Sequence, residues 1–210
     1  MSTIVFLRHA HSIANEKNLL AGRAPGVHLS RHGREQARGL IDRLGKGHVD
    51  HLHISPMQRC QLTIDPWLAS KNSSTISSLE VEERFNEVDY GDWSNRSLTS
   101  LRRNPLWKTI QQEPSKVKFP GGESIKAAQK RAVGAVDELL ASKKSSVHLV
   151  VTHSDLIKVI AAHYLEMHLD SFQRIEVGPA SFTVLRGNLE SQSLITLNSY
   201  SQLTSIIGKR

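Results

Sequence analysis

The hydrophobic positions fall into short blocks of two alternating kinds. Ile4-Val5-Phe6-Leu7 is an aliphatic run that breaks at once into polar residues, the pattern of a strand buried on both faces, as in parallel sheets. After Ser30, suited to cap a helix, Ala37, Leu40, Ile41 and Leu44 recur at helical spacing until Gly45 and Gly47, which predicts an amphipathic helix laid on that sheet. A weaker strand is expected over residues 49–54. Ser55-Pro56 is expected to open a second helix through Leu62, Trp67 and Leu68, with Pro56 at its first position and Arg59 one turn inside. Residues 70–78 read as an exposed polar connection. Residues 92–123 hold Pro105, Pro114, Pro120, Gly121 and Gly122 among bulky and basic residues and read as an inserted lid. Beyond them, Ile125, Ala128, Ala132, Ala135, Val136 and Leu139 mark a long helix, residues 147–152 a strand, and Leu156, Ile157, Ile160 and Leu165 another helix. Two late strands, at 181–185 and 194–197, flank the turn Gly187-Asn188, and the final Ser/Thr-rich stretch carries no clear signal.

Strand followed by helix, repeated, predicts an α/β three-layer sandwich: a mainly parallel sheet with helices on both faces, forming one domain over residues 1–210 with the lid at about 92–123. In such sheets ligands bind beyond the carboxyl ends of the strands. Three strand ends carry polar residues: Arg8-His9-Ala10-His11, Ser55-Pro56-Met57-Gln58-Arg59 and Thr152-His153-Ser154.

Composition narrows the class. A chain of 210 residues, 39% hydrophobic and 22% charged, buries enough surface to need no metal or disulfide staple. Cys60 is the lone cysteine, and the aliphatic runs fall far short of a membrane span or a signal-peptide core, so a soluble cytoplasmic protein is expected, with no membrane partner. The net charge of +7 suits an anionic partner. Its basic residues are dispersed, without interleaved aromatics or zinc-finger spacing, which disfavours nucleic acid and leaves a small phosphorylated substrate. Nothing in the pattern speaks to oligomeric state.

Arg8, Arg59, His9 and His153 would together make a site for a tetrahedral dianion, because guanidinium forks match phosphate oxygens. A neutral imidazole can attack phosphorus, splitting one difficult displacement into two. The leaving oxygen then needs a proton, and Glu83, Glu87 and Asp89, all near Tyr90-Gly91-Asp92-Trp93, are each candidates on chemistry alone. The alternate spacing of His9 with His11 and of His51 with His53 has no carboxylate or thiolate set at zinc-site spacing beside it, so no metal is expected. His48, His51, His53, His163 and His168 read as surface or packing residues, while His11 is near enough to touch a bound ester. Cys60 reads as a buried small hydrophobe, since Pro66 stands where a cysteine phosphatase needs its loop arginine. Arg96, Arg102, Arg103, Lys108, Lys116 and Lys118 form either a solvated face or a grip on a second acidic group.

Four ordered stretches resemble the motifs of the histidine phosphatase superfamily, also called phosphoglycerate mutase-like: Leu7-Arg8-His9-Ala10-His11-Ser12-Ile13-Ala14-Asn15, Ser55-Pro56-Met57-Gln58-Arg59-Cys60-Gln61-Leu62-Thr63, Glu87-Val88-Asp89-Tyr90-Gly91 and Val150-Val151-Thr152-His153. Pro105-Leu106-Trp107 and Phe119-Pro120-Gly121-Gly122-Glu123-Ser124 are similar to an actinobacterial branch commonly labelled probable phosphomutase. The resemblance implies that His9 is the nucleophile that becomes phosphohistidine, that Arg8, Arg59 and His153 complete the phosphate pocket, and that Glu87 is the acid and base. It further implies substrate or pocket contacts from Asn15, Gly22 and Arg23, and no metal or organic cofactor. Two positions depart from the family pattern. Ala10 replaces a usual Gly, costing about 1–2 kcal/mol if that position needs a left-handed backbone. Ser154 also replaces a common Gly and is expected to cap the helix it begins.

The expected activity is therefore hydrolysis of a small phosphate monoester through a phosphohistidine. A phosphomutase is the runner-up, disfavoured because the region between Glu87 and His153 is shorter than in phosphoglycerate mutases. A non-catalytic phosphate-binding protein is the third reading, opposed by the joint presence of His9 and Glu87.

Overall fold

The computed structural model describes residues 1–46, 49–73, 76–142 and 144–208. Strand β1 (Ser2–Arg8) leads into a one-turn helix α1 (Ile13–Glu16), a short strand β2 (Leu19–Leu20) and helix α2 (Arg31–Leu44), capped by Ser30 as expected. Strand β3 (His51–Ile54) is followed by α3 (Gln58–Leu68) and the edge strand β4 (Ser78–Val81). Then come β5 (Arg96–Ser97), α4 (Leu98–Leu101), α5 (Leu106–Gln112) and the long α6 (Ile125–Leu140). The chain closes with β6 (Val147–Thr152), α7 (Ser154–Tyr164), the hairpin β7 (Phe182–Gly187) and β8 (Gln192–Ser199), and α8 (Leu203–Ile207).

Six strands form one sheet in the order β4-β3-β6-β1-β7-β8. The first four are parallel and β7 and β8 are antiparallel, a mainly parallel sheet with helices on both faces. Side chains alternate across it, as the period of two requires. Ile4, Phe6 and Val150 join the core under α6 and α7, whereas Val5, Leu7, Leu149 and Val151 join the core under α2 and α3. Register places the chemistry: Arg8 lies opposite Thr152, Leu7 opposite Val151, and Val151 opposite Ile54. His9, Ser55 and His153, each one residue past its strand, therefore leave the sheet at a common rim.

Several local expectations are corrected. Helix α3 starts at Gln58, not Pro56, because Met57 is extended and Ser55 still pairs with the Val151 carbonyl at 3.0 Å; Arg59 is thus the second helical residue. Ser154 does not cap α7. It is the first helical residue, with extended His153 in the cap position, and its hydroxyl donates to the Val177 carbonyl at 3.2 Å. Ala10 has no left-handed backbone, so the strain anticipated there does not arise; the left-handed residue nearby is Ala180, φ 58°, which packs in the same small cluster as Ala10. Residues 70–78 include the start of β4, and the final stretch contains α8. Gly47 and His48 lie outside the described residues.

Within residues 92–123, α4, α5 and a 3-10 turn at Pro114–Lys116 bury Trp93, Leu101, Ile110, Val117 and Phe119 in the core shared with α6 and α7. The basic residues Arg96, Arg102, Arg103, Lys108, Lys116 and Lys118 are exposed.

Candidate active site

At the rim lies an open cavity of about 530 Å³, walled at its base by Arg8, His9, Arg59 and Glu87. Each side chain arrives from a different element. His9 follows β1, its amide donating to the Thr152 carbonyl at 2.8 Å. Its Nδ1 lies 2.8 Å from the Ala10 carbonyl, which only accepts, so Nδ1 carries the proton and Nε2 the lone pair. Burial, then the neighbouring Arg59 and Arg8 charges, hold this imidazole well below its ordinary basicity. It is neutral at physiological pH.

Arg8 and Arg59 face the same space. Arg8 donates through one terminal nitrogen to the Val177 carbonyl. Arg59, 1% exposed, donates from Nη2 to the Gly22 carbonyl at 2.9 Å and to His153 Nδ1 at 3.0 Å. The Nε groups of both arginines are buried with no acceptor among the described residues. Two largely buried guanidinium charges lining one cavity are costly unless an anion offsets them.

His153 packs edge-on against His9, with ring centroids 5.3 Å apart. Because its Nδ1 accepts from Arg59, its Nε2 donates to the Ser55 hydroxyl at 2.7 Å. It is fully buried behind Arg59 and orders that guanidinium; it does not itself line the cavity.

Glu87 is carried by an irregular segment beyond the 3-10 turn Glu83–Phe85. Its carboxylate stands 3.9 Å from Arg59 and 3.6 Å from His153, and Oε1 accepts the Val88 amide at 3.0 Å. Burial pushes its carboxyl up to about 7, partly offset by Arg59. A carboxyl poised there can give and take a proton near neutrality. The alternatives lie elsewhere: neither Glu83 nor Asp89 lines the cavity, Glu83 accepting from the Asn86 side-chain Nδ2 and Asp89 from the Gly91 backbone amide.

Of the expected contact residues, Asn15 and Gly22 line the cavity. Asn15 spends its Oδ1 on Ser12, leaving its amide nitrogen as the donor. Arg23 is turned away, its Nε donating to the Glu87 carbonyl at 2.8 Å and Nη2 pairing with Glu123 at 3.1 Å. His11 faces Ser30 and His32. Tyr90 and Asp155 were not anticipated: both line the cavity and are joined by a 2.7 Å hydrogen bond. Tyr90 belongs to the Glu87-Val88-Asp89-Tyr90-Gly91 stretch, but nothing in the sequence pairs it with a residue 65 positions on. Cys60 is fully buried, its thiol pushed up to about 12 by burial. Among the described residues no group of three His, Cys, Asp or Glu side chains is placed to hold a metal ion, and no helix is long and apolar enough to cross a membrane.

Two guanidinium groups and a neutral imidazole lining one cavity at the carboxyl rim of this sheet suit phosphoryl transfer. The chain belongs to the histidine phosphatase superfamily (branch 1), whose family model matches residues 4–199. It is 28% identical to phosphoserine phosphatase 1 of Hydrogenobacter thermophilus, over 94% of this chain and 92% of that one. It is 23% identical to the 2,3-bisphosphoglycerate-dependent phosphoglycerate mutase of Thermoplasma acidophilum, over 98% and 96%. Among solved structures it is similar to a mycobacterial glucosyl-3-phosphoglycerate phosphatase in complex with VO3, with a TM-score of 0.82 and 25% identity, covering 95% of this chain and 100% of that one. Members of the superfamily are phosphatases or phosphomutases, and the chain is an enzyme of that kind.

Proposed function

We propose that this protein is a phosphomonoesterase acting on a small phosphorylated metabolite in the cytoplasm. His9 Nε2 attacks phosphorus while the bond to the ester oxygen breaks, and Glu87 gives its proton to the departing alkoxide. Water, losing a proton to Glu87, then attacks the phosphohistidine; phosphate leaves and His9 is restored. Arg8 and Arg59 neutralise the equatorial oxygens through both steps, with His153 holding Arg59 in place. The observation that carries this reading is the convergence of the Arg8 and Arg59 guanidinium groups and the Glu87 carboxyl on one cavity beside a neutral His9.

Hydrolysis is favoured over mutase chemistry by the outer wall of the cavity. Arg8 and Arg59 serve the phosphate, and the remaining lining cation, Lys158, is engaged by Asp155 at 3.2 Å. With that pair mutually offset, Glu176 leaves the outer wall net negative, which repels the carboxylate of a phosphoglycerate. Asn15 and Gly22 are the expected contacts to the ester. Residues 92–123 reach the cavity through Leu98, beside Leu19 and Leu20, and in this reading act as a lid that limits the size of the alcohol.

The test is incubation with p-nitrophenyl phosphate and a panel of phosphorylated metabolites, quantifying free phosphate and isomerised product together. Vanadate-sensitive phosphate release that disappears in His9→Ala is expected. Isomerised product appearing faster than phosphate would establish the mutase, and tight phosphate binding without turnover a scaffold.

A further inference from the structure

The Glu87 carboxyl has Arg59 and His153 near its Oε2, at 3.9 Å and 3.6 Å, but the hydrogen bond that fixes it comes from its own loop. Its Oε1 accepts the amide of the next residue, Val88, and no helix or strand carries it. Where the carboxyl points therefore depends on what fixes residues 87–92. That support is residues 119–123. Asp92 donates its amide to the Pro120 carbonyl and Glu123 its amide to the Asp89 carbonyl, both at 2.9 Å. The two backbones touch: a Cβ on Gly122 would stand 2.2 Å from the Asp89 carbonyl oxygen, and one on Gly91 2.1 Å from that of Pro120.

The Glu123 carboxylate is the hub of this contact. Its Oε1 accepts the Asp89 amide at 2.9 Å, Arg131 Nη2 at 2.8 Å and Arg23 Nη2 at 3.1 Å, and its Oε2 accepts Arg131 Nε at 3.1 Å. Both arginines also donate to the Glu87 carbonyl, Arg23 Nε at 2.8 Å and Arg131 Nη2 at 3.0 Å. Two guanidinium groups on one carbonyl repel each other unless an anion lies between them, and Glu123 is that anion. Its side chain and that of Arg131 are 17% and 18% exposed, so solvent screens the pair less than it would a surface one.

We propose that Glu123 is the positioning residue for Glu87: it locks Arg23 and Arg131 onto the Glu87 carbonyl and pins the Asp89 amide, so the loop presents the carboxyl to the cavity in one geometry. This rests on the acid and base role proposed for Glu87. Glu123 touches neither substrate nor reacting atoms, so its loss acts only where a well-placed proton donor matters.

The experiment compares an alkyl phosphate, glycerol phosphate, with p-nitrophenyl phosphate, whose leaving group barely needs a proton, in wild type, Glu87→Gln, Glu123→Gln and the double variant. Glu123→Gln is expected to lower kcat/KM for glycerol phosphate about 10- to 100-fold, the scale of a slight misplacement. It should lower kcat/KM for the aryl ester less than about threefold, and add nothing once Glu87 is already Gln. Equal losses on both esters, or losses that multiply in the double variant, overturn the proposal while leaving Glu87 in its role. Equal losses in Glu87→Gln itself overturn the acid assignment and this inference with it. Should Glu123→Gln fail to fold, Arg23→Lys, at a side chain 33% exposed, is expected to show the same ester-selective loss at smaller size; a uniform loss there overturns the proposal equally.

Discussion

Two pairs of buried imidazoles belong to neighbouring strands, one inside the sheet and one just past its rim, and they are built to opposite ends. His9 with His153, and His53 with His148, each have ring centroids 5.3 Å apart, and burial is the first cause lowering the basicity of all four. The second pair is saturated. His53 donates from Nδ1 to Glu80 at 2.6 Å, its Nε2 accepts from His148 Nδ1 at 3.1 Å, and His148 Nε2 accepts from the Ser146 hydroxyl at 2.8 Å. That chain crosses β4, β3 and β6, with His51 stacked on the His148 ring. In the first pair, His9 lines a cavity together with Arg8 and Arg59, and its Nε2 makes no hydrogen bond within the described residues. Burial and a depressed pKa therefore do not mark chemistry by themselves; unfilled hydrogen-bonding capacity aimed at a cavity does.

The sharpest way to break this contrast is to remove one imidazole from each pair. His9→Ala is expected to cost at least ~10⁴-fold in turnover and to abolish the acid-labile phosphoryl label on the protein. His148→Gln should leave kcat/KM within about twofold, because a satisfied structural group takes no part in the transition state. A large loss in His148→Gln would erase the distinction. Next in size, Glu87→Gln should cost about 10²- to 10⁴-fold for alkyl phosphates and far less for p-nitrophenyl phosphate; equal losses would remove Glu87 from the acid role.

A third effect is read in the pH profile. The proton on Glu87 is lost as pH rises through about 7, so kcat/KM for an alkyl phosphate should fall on the alkaline side of that value, and the fall should vanish in Glu87→Gln. His9, held well below its ordinary value, stays neutral and contributes no limb near 6.5; an acid limb near 6 would belong to the substrate dianion. The smallest effect is on stability. His148 is pushed down to about 4 by burial and by His53 and His51, with Asp50 opposing. Its unfolded form takes a proton first, so as pH falls from about 6.5 to about 4 the folded state loses stability, and below that the loss is complete. His53, likewise lowered but supported by Glu80 and Glu82, acts in the same direction. Thermal melts across that window should show a drop that is shallower in His148→Gln; parallel curves would refute it.

The same contrast explains what the sequence makes legible. The run at Ile4-Val5-Phe6-Leu7 and the helical spacing after Ser30 are strong because both faces of β1 and one face of α2 are buried, and burial is what patterns a sequence. Strand β4 escapes notice because all four of its residues are exposed at the sheet edge, Leu79 and Val81 included. Helix α8 escapes because only Leu203 is buried. The phosphate end of the site is readable because each of its side chains lies within five residues of a strand end. Its other end is not: the Tyr90–Asp155 bond and the Arg23–Glu123–Arg131 cluster join residues that neither periodicity nor spacing brings together. Glu123 shows no role in the sequence because it acts where two distant backbone segments meet.

Cys60 has a practical consequence. Its thiol is sealed against the Thr152 carbonyl and the His153 ring and holds its proton up to about 12, so maleimides and peroxides meet no thiolate on the folded molecule. As the single sulfhydryl of the chain, it labels only when α3 parts from β6. The rate of its alkylation is thus a built-in clock for opening of the core beneath the phosphate site.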